Sequence, residues 1–212
     1  ETDYVPLQVG QFESDNRMDD QLRNILLEGN GGGQKTESYE LAAYFVARHT
    51  VTDAWEKRGR KGYVFLIGDE MSKPRLRARH IREVIGDDVY DDLDPASVYR
   101  ELQERWEVFY ILPRQTSYFD DPQVRGHWKG VLGERVLFLE DPNAVCDLIA
   151  VTVGMLEDVV DLDDGLADLS DVGAQTADVV GKALAPLSGT VVGAGVASRL
   201  PAGADDGVDD LM

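Results

Sequence analysis

Two groups of residues in this chain carry the chemistry of a site. Asp69 and Glu70 follow Gly68 at the end of the unbroken apolar run Tyr63-Val-Phe-Leu-Ile67. Such a run reads as a strand buried on both faces, as in a parallel sheet. Carboxylates just past its C-terminal end lie where open α/β sheets bind their ligands. The second group is Gly29-Asn-Gly-Gly-Gly-Gln-Lys-Thr36. It comes within one residue of the phosphate-loop pattern G-x-x-x-x-G-K-[ST], in which the lysine reaches the phosphates and the hydroxyl holds Mg²⁺. On that reading Lys35 and Thr36 bind a nucleoside triphosphate, while Asp69 and Glu70 hold the same metal and activate water. Gln34 stands where the pattern needs glycine, at a point where the backbone must curl tightly.

Other reactive side chains are isolated. His49, His80 and His127 show no metal-ligand spacing and read as structural. Ser38 has no His–Asp partners in the pattern, and the single Cys146 reads as a small packed hydrophobe. One cysteine also excludes an internal disulfide framework and points to a reducing, cytoplasmic location.

The elements that must position these groups alternate. Pro6 to Phe12 reads as a short strand, and Asp15 as the cap of a helix with Met18, Leu22, Ile25 and Leu26 on one side. Thr36 reads as the cap of a helix over Glu37 to Arg48, with Leu41, Tyr44, Phe45 and the Arg48 stem inward. Strand 62–67 follows. Pro74 opens a helix that carries Ile81, Val84 and Ile85 and ends at Gly86. Asp94-Pro95 starts the next, through Val98, Leu102 and Trp106. Glu107 to Leu112 and Arg135 to Leu139 read as buried strands, separated by a helix from Pro122 to Leu132. Asp141-Pro142 begins a further helix through Val153. Alternation of this kind predicts an α/β fold with right-handed crossovers and a mainly parallel sheet.

The chain has 212 residues and a formal charge of -19. That charge argues against binding a nucleic-acid backbone or an anionic membrane surface. No apolar run reaches the roughly 18 residues that span a bilayer. From residue 157 onward there are 12 acidic and 2 basic residues, a net of -10, and no aromatic residue. The division expected is an α/β domain over residues 1–156 and an acidic, Ala/Gly/Asp-rich tail over 157–212 that is a poor core-former. Within the tail, Ala177 to Leu187 could form an amphipathic helix on a partner.

Pro6-Leu-Gln-Val-Gly-Gln-Phe-Glu13, Gly31-Gly-Gly33, Glu37-Ser-Tyr-Glu-Leu-Ala42 and Gly62-Tyr-Val-Phe-Leu-Ile-Gly-Asp-Glu70 together resemble bacterial von Willebrand factor A-like proteins, over roughly residues 5–155. The resemblance implies a three-layer, doubly wound sheet with a divalent cation above the strand ends. Three loops supply its ligands: an Asp-x-Ser-x-Ser strand, a Gly-rich loop with a Thr or Asp, and an Asp that ends a later strand. By position, Asp69 matches the last ligand, Gly31, Gly32 and Gly33 match the Gly-rich loop, and Gln34 or Thr36 falls near its ligand. Glu37 and Glu70 would line the partner face. A hard cation such as Mg²⁺ suits these oxygen donors. No Asp-x-Ser-x-Ser occurs in the chain, so either the chain is the C-terminal part of a longer domain or its metal site is incomplete. The function implied is non-enzymatic. The chain would be a protein-binding module that works beside an AAA-type ATPase or as a subunit of an assembly. The alternatives are the nucleoside triphosphatase above and a structural subunit with a vestigial metal site.

Overall fold

The computed structural model describes residues 4–13, 15–28 and 35–194. They divide into two compact units, residues 1–142 and 143–212. The division falls earlier in the chain than the change of composition at residue 157.

The first unit is an α/β fold with parallel sheets in a Rossmann-like layout. Its elements are α1 (Arg17–Asn24), β1 (Thr36–Glu37), α2 (Tyr39–His49), α3 (Asp53–Arg58), β2 (Gly62–Ile67), β3 (Met71–Ser72), α4 (Ala78–His80), α5 (Pro95–Arg105), β4 (Trp106–Pro113), α6 (Pro122–Leu132) and β5 (Val136–Leu139). The main sheet has the order β2-β4-β5, all parallel, with Phe65 beside Phe109 and Ile111 beside Leu137. β1 and β3 form a separate parallel pair, Thr36 beside Met71 and Glu37 beside Ser72.

The three apolar runs become the three main strands because their residues are buried on alternating sides. In β4, every residue from Val108 to Leu112 is inaccessible to solvent, so both faces of the central strand are covered. One face packs Val64, Leu66, Val108, Tyr110, Leu112 and Val136 against Leu41, Tyr44, Val98, Leu102, Val124 and Trp128. Trp128 is its anchor: its ring stacks on Tyr110 at 3.9 Å and meets Tyr39 and Tyr99 edge-on.

The crossover helices α5 and α6 both start at Asp-Pro pairs, the first at the expected Asp94-Pro95, whereas Asp141-Pro142 opens only a 3-10 turn before the helix that starts at Val145. Asp94 accepts a bond from Ala96 N at the start of α5, and Asp121 accepts from Gln123 N and Val124 N at the start of α6.

Several sequence-based expectations differ. Pro6 to Phe12 alternates like a strand but pairs with no strand among the described residues. α1 forms, yet buries none of its residues. Thr36 does not cap α2. It sits in β1, and Ser38 precedes the helix without a side-chain cap. Residues 74–77 are not helical, because Leu76 exchanges backbone bonds with Leu93. The helix begins at Ala78 and continues over Ile81–Ile85 as a π-helical turn that ends on Gly86 at φ 96°.

The second unit holds α7 (Val145–Leu156), α8 (Leu162–Asp171) and α9 (Ala177–Ala194). The composition past residue 157 predicts a poor core-former with a helix only over such parts as Ala177 to Leu187; the described part of it is largely helical. Asp161 caps α8 through Asp164 N, and Thr176 Oγ1 donates to Asp147. The small residues explain the packing. A Cβ at Gly165 would lie 3.0 Å from Val151, and one at Gly181 2.9 Å from Leu166. Glycine thus lets α8 approach α7 and α9 closely. Residues 195–212 of the expected tail lie outside the described residues. Among the described residues no helix is long and apolar enough to cross a membrane.

The central role of Trp128 is testable. Trp128→Ala removes a fully buried ring and should cost about 3–5 kcal/mol, measured as a fall in ΔG by urea unfolding.

Candidate functional site

The Gly68-Asp69-Glu70 turn is held by its backbone. The Glu70 carbonyl accepts bonds from Trp128 Nε1 at 2.8 Å and Tyr110 Oη at 3.1 Å. Two large aromatic donors, one on a helix and one on the central strand, thereby fix where β2 ends and β3 begins. Gly68 is required by the same crowding, since a Cβ there would stand 1.9 Å from the Tyr39 hydroxyl. Burial raises the Tyr110 phenol above its ordinary value and pushes Tyr39 up to about 12. Both therefore stay protonated and able to donate at neutral pH.

Asp69 is not a helix cap. Its Oδ2 accepts a bond from Ser117 N at 3.0 Å, which ties the turn after β2 to the turn after β4. Short pairing of β1 with β3 then brings in the segment around Thr36: Met71 N donates to Lys35 O at 3.0 Å. Glu37 and Asp69 thus lie close enough to Glu70 for their charges to act on it. The Glu70 carboxyl is held above its ordinary value, first by burial and then by the charges of Glu37 and Asp69. The crevice at the strand ends is therefore an acidic corner on a rigid aromatic base.

Lys35 does not point into an open phosphate site. Its Nζ lies 2.6 Å from Asp121 and 5.5 Å from the centre of the Tyr118 ring. The hydrogen bond from Lys35 lowers the Asp121 carboxyl below its usual range. Thr36 lies in a strand pair, with Lys35 just before it, rather than in the first turn of a helix, where the phosphate-loop pattern places them. Gly31, Gly32, Gly33 and Gln34 lie outside the described residues.

The oxygen donors of the corner are those a hard cation takes. Among the described residues, however, no three His, Cys, Asp or Glu side chains gather into a group able to hold a metal ion.

The sequence did not reveal one feature beside the corner. Ser72 Oγ lies 2.8 Å from His127 Nε2, and Ser72 N donates to the same nitrogen at 3.3 Å. With the backbone N–H as donor, Nε2 must be the acceptor, so the proton of this neutral imidazole sits on Nδ1. The two residues are 55 positions apart, on β3 and α6, and no local pattern joins them. Buried Glu40 holds the next residue, accepting a bond from Lys73 N at 3.0 Å. Ser72 is only 4% exposed, so the pair anchors β3 rather than presenting a nucleophile.

Burial lowers the His127 pKa below 6.5. The folded state therefore binds this proton less readily than the unfolded chain does. Its contribution to stability is complete above the unfolded pKa and is lost as pH falls from about 6.5 through the folded value. Melting temperature should drop between pH 7.5 and 5, and the drop should be shallower in His127→Gln. A glycine replacement supplies a second check: Gly68→Ala must displace Tyr39 and should destabilise by about 1–3 kcal/mol.

Compared with protein-family models, curated proteins and solved structures, the chain matches none.

Proposed function

We propose that this chain is a non-enzymatic protein-interaction module of von Willebrand factor A type. Another protein docks at the acidic corner formed by Glu37, Asp69 and Glu70. What supports the reading is the negative character of this strand end. Burial first, and then the charges of Glu37 and Asp69, hold the Glu70 carboxyl above its ordinary value. A cation placed there relieves the repulsion. The side chain of a partner's lysine or arginine is the natural source, and charge pairing of this kind fixes register and partner choice more than raw affinity. An acidic surface overall, at -19, would speed the approach of a basic partner. A docking role inside a larger assembly, or beside an AAA-type ATPase, is consistent with such a surface.

A short lysine peptide, titrated at 0.15 M salt with amide chemical shifts as the readout, tests the reading. The amides around Glu37 and those of the turn over residues 68–71 should shift first, and Glu70→Gln or Glu37→Gln should weaken binding about fivefold. Asp163→Asn, on α8, should leave it unchanged. Uniform shifts over the whole acidic surface would overturn the assignment. Repeating the titration with MgCl₂ separates the two cations: competition at the same amides means that Mg²⁺ and the peptide share the corner. Relief of repulsion also predicts that Glu70→Gln raises stability at neutral pH by about 0.5 kcal/mol. The sign follows from the raised folded pKa. The penalty is absent below the unfolded pKa and appears as pH rises through the folded one, so the gain from the substitution should vanish in acid.

A further inference from the structure

The strand that ends in the acidic corner is also an edge strand. β2 has β4 on one side and, among the described residues, no strand on the other. Gly68 N donates to Ile111 O at 3.2 Å, one step past the Ile67–Ile111 pair. In a parallel ladder alternate residues turn their N–H and C=O to the same neighbour. The even-numbered residues of β2 therefore face β4, and Phe65 and Ile67 direct their backbone groups outward. Natural edges are blunted by charge, proline or a bulge. The run from Tyr63 to Ile67 has none of these, and Ile67 is 50% exposed.

We propose that this edge pairs with the same edge of a second copy of the chain, antiparallel and centred on Phe65. The inference rests on reading the chain as a protein-interaction module whose β2 edge no further strand covers, and names one partner for it. The sequence Arg60-Lys-Gly-Tyr-Val-Phe-Leu-Ile-Gly-Asp-Glu70 is self-complementary about its middle residue. With Phe65 opposite its symmetry mate, Tyr63 lies opposite Ile67, Val64 opposite Leu66, and Gly62 opposite Gly68. Lys61 then lies opposite Asp69, and Arg60 opposite Glu70. This register sets odd residues against odd ones, so the outward backbone groups of Phe65 and Ile67 meet hydrogen-bonding positions of the partner strand. A register shifted by one residue would set them against inward-facing groups. Basic residues before the strand and acidic ones after it favour the antiparallel pairing, whereas a parallel pairing would oppose like charges.

The side chains agree with this geometry. Lys61 Nζ reaches Gln103 O at 2.7 Å and Glu107 at 3.6 Å, and an ammonium has three donors. Asp69 uses Oδ2 for Ser117, and a carboxylate has a second oxygen. The product is a continuous six-stranded sheet, β5-β4-β2 followed by its mate in reverse order. Two chains of charge -19 repel one another at long range, so the pairing belongs at salt high enough to screen that repulsion.

The test is sedimentation equilibrium of the 212-residue chain in 0.5 M salt. The expected mass is twice 23.4 kDa. Lys61→Glu should weaken self-association by roughly tenfold or more, because symmetry places the new repulsion at two sites. The double variant Lys61→Glu/Asp69→Lys should restore it. The swap cannot restore the contact of Lys61 with Glu107, so recovery identifies the pair between copies, and circular dichroism confirms that each variant is folded. Glu37→Gln should leave the dimer intact while weakening lysine-peptide binding, which separates the two readings. A monomer at the highest soluble concentration overturns the proposal, as does a dimer that the swap fails to restore. Slow hydrogen exchange at Phe65 and Ile67 in a monomer also overturns it, because another strand then holds the edge.

Discussion

The carbonyl oxygen of Glu70, held between Trp128 Nε1 and the Tyr110 hydroxyl, is the constraint on which this end of the fold turns. A backbone carbonyl buried without donors costs as much as a lost hydrogen bond. Here it takes two, and both donors belong to rings stacked on each other in the core. The position of the turn is therefore set by the packing of the sheet on α6. Once Glu70 is placed, Asp69 meets Ser117, β3 meets β1, and Ser72 meets His127. A chain of polar contacts thus spreads from one apolar contact.

Electrostatics at the strand ends follows from that rigidity. Side chains on flexible loops can swing apart when their charges repel. Glu70 can do so only in part, because its main chain is clamped. Lys35, the cation closest in sequence to the corner, is held by Asp121, which also caps α6. The protein thus keeps positive charge on one helix start and leaves the adjoining turn negative.

Much of the main sheet was legible because its signals are local. Residues 63–67, 107–112 and 135–139 are long enough for continuous apolarity to identify them, and Asp94-Pro95 carries a helix start in two residues. Asp69 and Glu70 could be placed at a strand end for the same reason. The partners that give them meaning could not. β1 and β3 are two residues long, too short for any period, and exist because the Lys35 and Met71 backbones meet. Thr36 looked like a helix cap because its local chemistry is that of a cap; pairing with Met71 took precedence. Ser72 with His127, and Lys35 with Asp121, join positions more than 50 residues apart. Pro6 to Phe12 had the alternation of a strand, but among the described residues no strand pairs with it.

The helices past residue 142 are built differently from the sheet. Their close approaches are made at Gly165 and Gly181, and Val151, Val180, Ala183, Leu184 and Leu187 are buried. Alanine and glycine surrender almost no rotamer freedom on folding, whereas long side chains lose up to about 2 kcal/mol each. Packing at these positions therefore costs little side-chain entropy, although glycine gives up more backbone freedom than any other residue. The buried apolar side chains of these helices are Val, Leu, Met and Ala, with no aromatic ring among them. Heat capacity change scales with the apolar surface that melting exposes, so, residue for residue, these ring-free helices should add less curvature to the stability curve than the aromatic sheet does.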